Sequence, residues 1–125
     1  LGSSSNNTLT NNIAKSNVLH YGIILSYSSY NTIANNTANN NSEDGFYLDH
    51  LSNYNTLIGN KVNNNDDDDD DDDGIDVENS SNNDIINNTV NSNGDDGFDF
   101  MCVRIRDWSF QTINTFVYQS DYLTW

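Results

Sequence analysis

The chain has 125 residues, enough for one domain. Only 34% are hydrophobic and 25 are asparagine, which neither fills a core nor favours helix, so a conventional globular interior is excluded. Nineteen acids face four bases, Lys15, Lys61, Arg104 and Arg106, and the net charge of -15 repels phosphate backbones and anionic lipid, which excludes nucleic acid as a partner. No apolar run approaches the ~18 residues that span a bilayer, so no membrane insertion is expected. The chain starts at Leu1 with no signal-peptide pattern, as expected of a processed protein or a fragment, and Cys102 has no intrachain partner.

Low hydrophobicity with high charge leaves a chain disordered unless a repeat organises it, and a repeat is present. The first unit runs through Asn7-Thr8-Leu9, Asn12 and Ala14 to Gly22, Ile23 and Leu25. The second has Asn31-Thr32-Ile33, Asn36, Ala38, Gly45, Phe46 and Leu48 in the same order. The third has Asn55-Thr56-Leu57, Asn60, Val62, Gly74, Ile75 and Val77, and the fourth Asn83-Asp84-Ile85, Asn88, Val90, Gly97, Phe98 and Phe100. Leu9, Ile33, Leu57 and Ile85 are spaced 24, 24 and 28 residues apart. After each glycine the apolar residues alternate, the period of a strand. Short strands at a period near 24, separated by Asn, Ser and Gly, predict an all-β solenoid of about four rungs: a right-handed parallel β-helix in which each strand stacks on its copy. Identical Asn side chains ~4.8 Å apart can then pass amide hydrogen bonds along a ladder.

The runs Ser4-Ser5-Asn6-Asn7-Thr8-Leu9-Thr10-Asn11-Asn12, Asn31 to Asn40 and Gly45-Phe46-Tyr47-Leu48 resemble the parallel β-helix repeats of NosD-like and carbohydrate-processing β-helix proteins. The resemblance covers residues 4–100 and implies the fold and a secreted or cell-surface setting. It does not choose among pectin-degrading enzymes, epimerases, adhesins and surface-layer components, all of which use such repeats. The copper role associated with NosD-like proteins attaches to no matching residue, since His20, His50, Met101 and Cys102 form no ligand-spaced motif.

Two segments depart from the repeat. Twelve positions separate Val62 from Gly74 where Ala38 to Gly45 and Val90 to Gly97 use seven, so an acidic loop, Asp66 to Asp73 within residues 63–73, is expected to bulge from the coil as a mobile, solvated segment. The repeat region is residues 1–100. From 101 to 125 the pattern stops and six aromatics appear, Trp108, Phe110, Phe116, Tyr118, Tyr122 and Trp125, which reads as a cap or a partner-binding tail.

If Phe46 and Leu48 point inward, strand parity turns Tyr47 and Asp49 outward, with Asp76 and Glu78 in the next rung and Asp99 after that. Asp44, Asp73 and Asp96, each just before a glycine, extend this grid at the corner. Stacked like charges destabilise one another. The grid therefore reads either as a solvated face screened by salt or as a site for a hard cation with oxygen ligands, calcium first. Paired carboxylates also serve glycoside cleavage, but no shaped groove is legible, and the chain does not read as an enzyme. Tyr30, Tyr54 and Tyr47 are candidates for stacking on sugar rings. Five Asn-x-Ser/Thr sequons, at Asn6, Asn35, Asn40, Asn79 and Asn87, are mostly what chance yields in so Asn-rich a chain. The expected function is a non-catalytic extracellular module binding glycans or divalent cations. A self-associating surface protein, stacking through open rung edges or the tail, and a fragment of a carbohydrate-active enzyme are the alternatives.

Overall fold

The computed structural model describes residues 1–66 and 72–101, and the backbone of residues 105–110 and 117–119. Every regular element among them is a strand, and all pairing is parallel. Three strand columns stack side by side. The first sheet holds β1 (Thr8–Thr10), β4 (Thr32–Ala34), β7 (Thr56–Ile58) and the start of β10 (Asn83–Asn91). The second holds β2 (Ile13–Lys15), β5 (Thr37–Asn39), β8 (Lys61–Asn63) and the end of β10. The third holds β3 (Ile23–Ser26), β6 (Phe46–Asp49), β9 (Ile75–Glu78) and β11 (Phe98–Met101). β12 (Ile105–Phe110) pairs with β10 and β13 (Val117–Gln119) with β11, so the backbone of the tail segment continues the stack. The side chains of the tail, and Cys102, lie outside the described residues.

The in-register pairs are those the repeat predicts: Leu9 with Ile33, Ile33 with Leu57, and Leu57 with Ile85. Ile33, Leu57 and Ile85 are fully buried, as are Ala38, Val62 and Val90 from the second sheet. Leu25, Phe46, Leu48, Ile75, Val77 and Phe98 complete one continuous core with Phe100. Each fully buried aliphatic side chain contributes roughly 1.5–3 kcal/mol, and stacking lets a chain poor in apolar residues concentrate them in a few columns. Leu9 and Ile23, on the first coil, are only half-buried.

Asparagine does two separate jobs at the turns. One residue of each turn takes a positive φ and is followed by an inward-facing Asn or Ser. Asn6, Tyr30, Tyr54 and Asn82 hold this conformation before the first sheet, Asn11, Asn35, Gly59 and Asn87 after it, and Ser16, Asn40, Asn64 and Ser92 after the second sheet. Asn tolerates the left-handed region better than most residues. The residue that follows builds an internal ladder. Asn36 Nδ2 donates to Asn60 Oδ1 at 3.1 Å and Asn60 Nδ2 to Asn88 Oδ1 at 2.8 Å, while Asn60 also donates to the Ile33 carbonyl at 2.9 Å. Besides the columns from Asn7 and Asn12, the structure has two more that the sequence reading passed over: Asn17, Asn41, Asn65, Asn93, and Ser4, Ser28, Ser52, Ser80.

The acidic loop is narrower than expected. Asn63 ends β8 and Asn65 is a buried ladder residue, while Asp72 and Asp73 are buried rather than solvated. Asp66 is exposed, and residues 67–71 lie outside the described residues. Gly45 and Gly74 stand where the interior is pinched. A Cβ on Gly45 would lie 2.0 Å from Val62 Cγ1, and one on Gly74 2.1 Å from Val90 Cγ1.

Candidate functional site

The outer face of the third sheet carries two side-chain columns. Register places Ile24, Tyr47, Asp76 and Asp99 in one, and Ser26 with Asp49, then Glu78 with Met101, in the other. These are the columns that strand parity predicts, but they do not form an exposed grid. Asp49 is 7% exposed and Asp76 9%. Tyr47, the register neighbour of Asp76, stacks on Tyr21 at 4.7 Å. Glu78 accepts a hydrogen bond from the Tyr47 hydroxyl at 3.0 Å.

At the corner before this sheet, Asp44, Asp73 and Asp96 form a column resembling the asparagine ladders. The Asp73 N–H donates to Asp44 Oδ1 at 2.6 Å and the Asp96 N–H to Asp73 Oδ1 at 2.8 Å. A carboxylate accepts these bonds as an amide oxygen does but has no N–H to pass onward. Burial pushes the Asp44 carboxyl up to about 8 despite the hydrogen bond from Asp73, with the neighbouring carboxylates adding to the rise. Asp73 rises to about 7 and Asp76 to about 9, again chiefly through burial, with Asp44, Glu78 and Asp99 acting on Asp76 in the same direction. Asp96 is raised by the same causes.

Among the described residues, two groups bring three carboxylate oxygens within 4.8 Å of one another: Asp73 with Asp76 and Asp99, and Asp73 with Asp95 and Asp96. Asp49 and Glu78, expected in one grid with these, instead line a separate cleft of about 390 Å³ with Tyr27, His50, Leu51 and Asn79. This cleft exists because the second coil has one residue more than its neighbours at the turn after the third sheet. Ser26 and Ser28 are separated by Tyr27, and Glu78 and Ser80 by Asn79, but Asp49 and Ser52 by both His50 and Leu51. His50 and Leu51 take φ of 52° and 62° in succession, a costly conformation for non-glycine residues. The bulge lays the His50 ring on Tyr27 at 4.7 Å and pairs His50 Nδ1 with the Asp49 carboxylate. The sequence offers one signal for it, the extra residue, which only alignment of successive coils reveals.

Tyr30 and Tyr54, the other sugar-stacking candidates, are exposed and stacked at 5.1 Å with an interplanar angle of 6°. All three ring pairs, Tyr21 with Tyr47, Tyr27 with His50 and Tyr30 with Tyr54, therefore join the same two successive coils.

Residues 1–115 match the family described as right-handed β-helix region. The chain belongs to this family. Right-handedness of the coil follows from membership. Among solved structures, this β-helix is similar to a periplasmic alginate epimerase, crystallised as a double mutant, with a TM-score of 0.63 and 19% identity. The match covers 94% of this chain and 35% of the epimerase chain, so the β-helix described here spans about a third of that structure. At that identity the likeness is one of fold. No curated protein matches the chain. No helix among the described residues is long and apolar enough to cross a membrane.

Proposed function

We propose that this β-helix is an extracytoplasmic, non-catalytic module that binds a glycan chain along the ring pairs and in the Tyr27–His50 cleft. The observation that carries this reading is the succession of three ring pairs between the same coils, two stacked and one tilted, with a cleft at the central Tyr27–His50 pair that also presents Asp49 and Glu78. Apolar sugar faces stack on exposed rings, and carboxylates accept from sugar hydroxyls. The periplasmic setting of the similar epimerase supports an extracytoplasmic location. A net charge of -15 favours neutral or amine-bearing glycans over uronate polymers. Titration of neutral glucan, mannan and galactan against the full chain, with alginate as the acidic comparator, tests this; saturable binding to a neutral polymer is expected.

One observation favours a second reading, a fragment of a carbohydrate-active enzyme: the same cleft holds a His50–Asp49 pair beside the Tyr47–Glu78 hydrogen bond, groups able to move protons. Release of reducing or unsaturated sugar ends, abolished by His50→Gln, is the outcome that selects it.

A further inference from the structure

We propose that Asp73, Asp76 and Asp99 form a calcium site that fastens the third coil to the fourth on the outer face of the third sheet. Their carboxylate oxygens lie within 4.8 Å of one another. Two oxygens bound to one calcium at about 2.3–2.6 Å can be at most about 5.2 Å apart, so one ion can reach all three.

An acidic cluster alone is common on protein surfaces, but two members of this one, Asp73 and Asp76, are buried. Asp76 is 9% exposed, and its Oδ1 is shielded from solvent and accepts no hydrogen bond. A buried acceptor left without a donor is costly, and a buried carboxylate more so. Elsewhere in the coil the equivalent demand is met by asparagine, whose amide donates to the next residue of its ladder. The column of Asp44, Asp73 and Asp96 breaks that scheme, since stacked carboxylates offer acceptors only. Both lysines among the described residues, Lys15 and Lys61, sit exposed on strands of the second sheet. A hard divalent cation supplies positive charge that neither described lysine brings to the cluster, and the carboxylates supply hard oxygen ligands. Because Asp73 and Asp76 belong to the third coil and Asp99 to the fourth, an ion held by all three links the coils through side chains as well as through the backbone pairing of Asp76 with Asp99.

The site is independent of glycan binding, and its test uses no glycan. Melting of the full 125-residue chain is followed in chelator, in millimolar calcium chloride, and in sodium chloride of equal ionic strength. Calcium is expected to raise the melting temperature by several degrees beyond sodium. Asp76→Asn and Asp99→Asn should each weaken calcium affinity by calorimetry at least about tenfold, as the loss of one of three carboxylate ligands implies. Asp95→Asn, which touches only the neighbouring group, should leave it within about twofold. Both Asn variants are isosteric, and Asp76→Asn should melt higher than the parent in chelator, which separates loss of a ligand from loss of the fold. Equal stabilisation by sodium, calcium affinity unchanged in Asp76→Asn, or affinity lost in Asp95→Asn instead would each overturn the assignment.

Discussion

The backbone N–H of Asp73 donates to a carboxylate oxygen of Asp44 one coil earlier at 2.6 Å, the same bond by which the Asn31 N–H reaches Asn55 Oδ1 at 2.8 Å. The two columns share geometry but differ in charge. Asp44→Asn keeps the acceptor for Asp73 and adds an amide that can donate to its carboxylate. Its expected effect in chelator is stabilisation by about 1–2 kcal/mol, the scale of a buried polar group gaining its partner, read as a higher melting temperature. A lower melting temperature would show that the carboxylate is needed in the metal-free fold.

The same column sets the pH dependence. Asp44, Asp73 and Asp76 titrate in the folded chain at about 8, 7 and 9, all above the usual carboxylate range. Between about pH 4 and these values the folded state holds more protons than the unfolded one, so stability is greatest at the acid end and is lost as pH rises. In chelator the denaturant midpoint should fall steadily from pH 5 to pH 9, and Asp76→Asn should flatten the slope. A midpoint that rises with pH over this range contradicts the assignment of these groups as buried acids.

Adjacent asparagines should respond oppositely to substitution. Asn40 is exposed with φ of 54°, whereas Asn41 is buried, its Oδ1 accepting from Asn17 Nδ2 and its Nδ2 donating to Asn65 Oδ1, both at 2.9 Å. Asn40→Gly should change stability by less than about 0.5 kcal/mol, since glycine adopts positive φ freely. Asn41→Ala strands partners on both sides and should cost at least about 2 kcal/mol. Urea midpoints of the two variants decide the matter, and equal costs would mean that the ladder carries no special weight.

Gly74→Ala tests the pinch between the third and second sheets. A methyl 2.1 Å from Val90 Cγ1 has nowhere to go without moving the strand, so about 1–3 kcal/mol of destabilisation is expected. Pairing it with Val90→Ala should recover part of the loss. No recovery in the double variant would place the strain elsewhere.

The core was legible because its spacing is rigid. Leu9, Ile33, Leu57 and Ile85 recur in phase through a register that admits no slippage, and the alternation at Phe46 and Leu48 reports which side faces in. The columns from Asn17 and Ser4 carry the same spacing, but in a chain so rich in Asn and Ser they do not stand out from the background. Parity correctly turned Asp76 outward. It could not show that Asp76 is nonetheless buried, or that Tyr47 stacks on Tyr21 beside it, because side-chain burial depends on rotamers and neighbouring coils rather than on period. The cleft was missed for a different reason: the additional residue at His50 changes a turn, where local spacing carries no hydrophobic signal.

The most direct measurement of the functional account is the affinity of the full chain and of Tyr27→Ala for the neutral polysaccharide it binds best in a panel of glucan, mannan and galactan. Tyr27 is 59% exposed and contributes nothing to the core, so the variant should melt like the parent. The loss of one stacking ring, about 1 kcal/mol, should weaken binding roughly fivefold, while alginate binds neither protein. No binding across the panel, or equal affinity in the variant, would contradict the account.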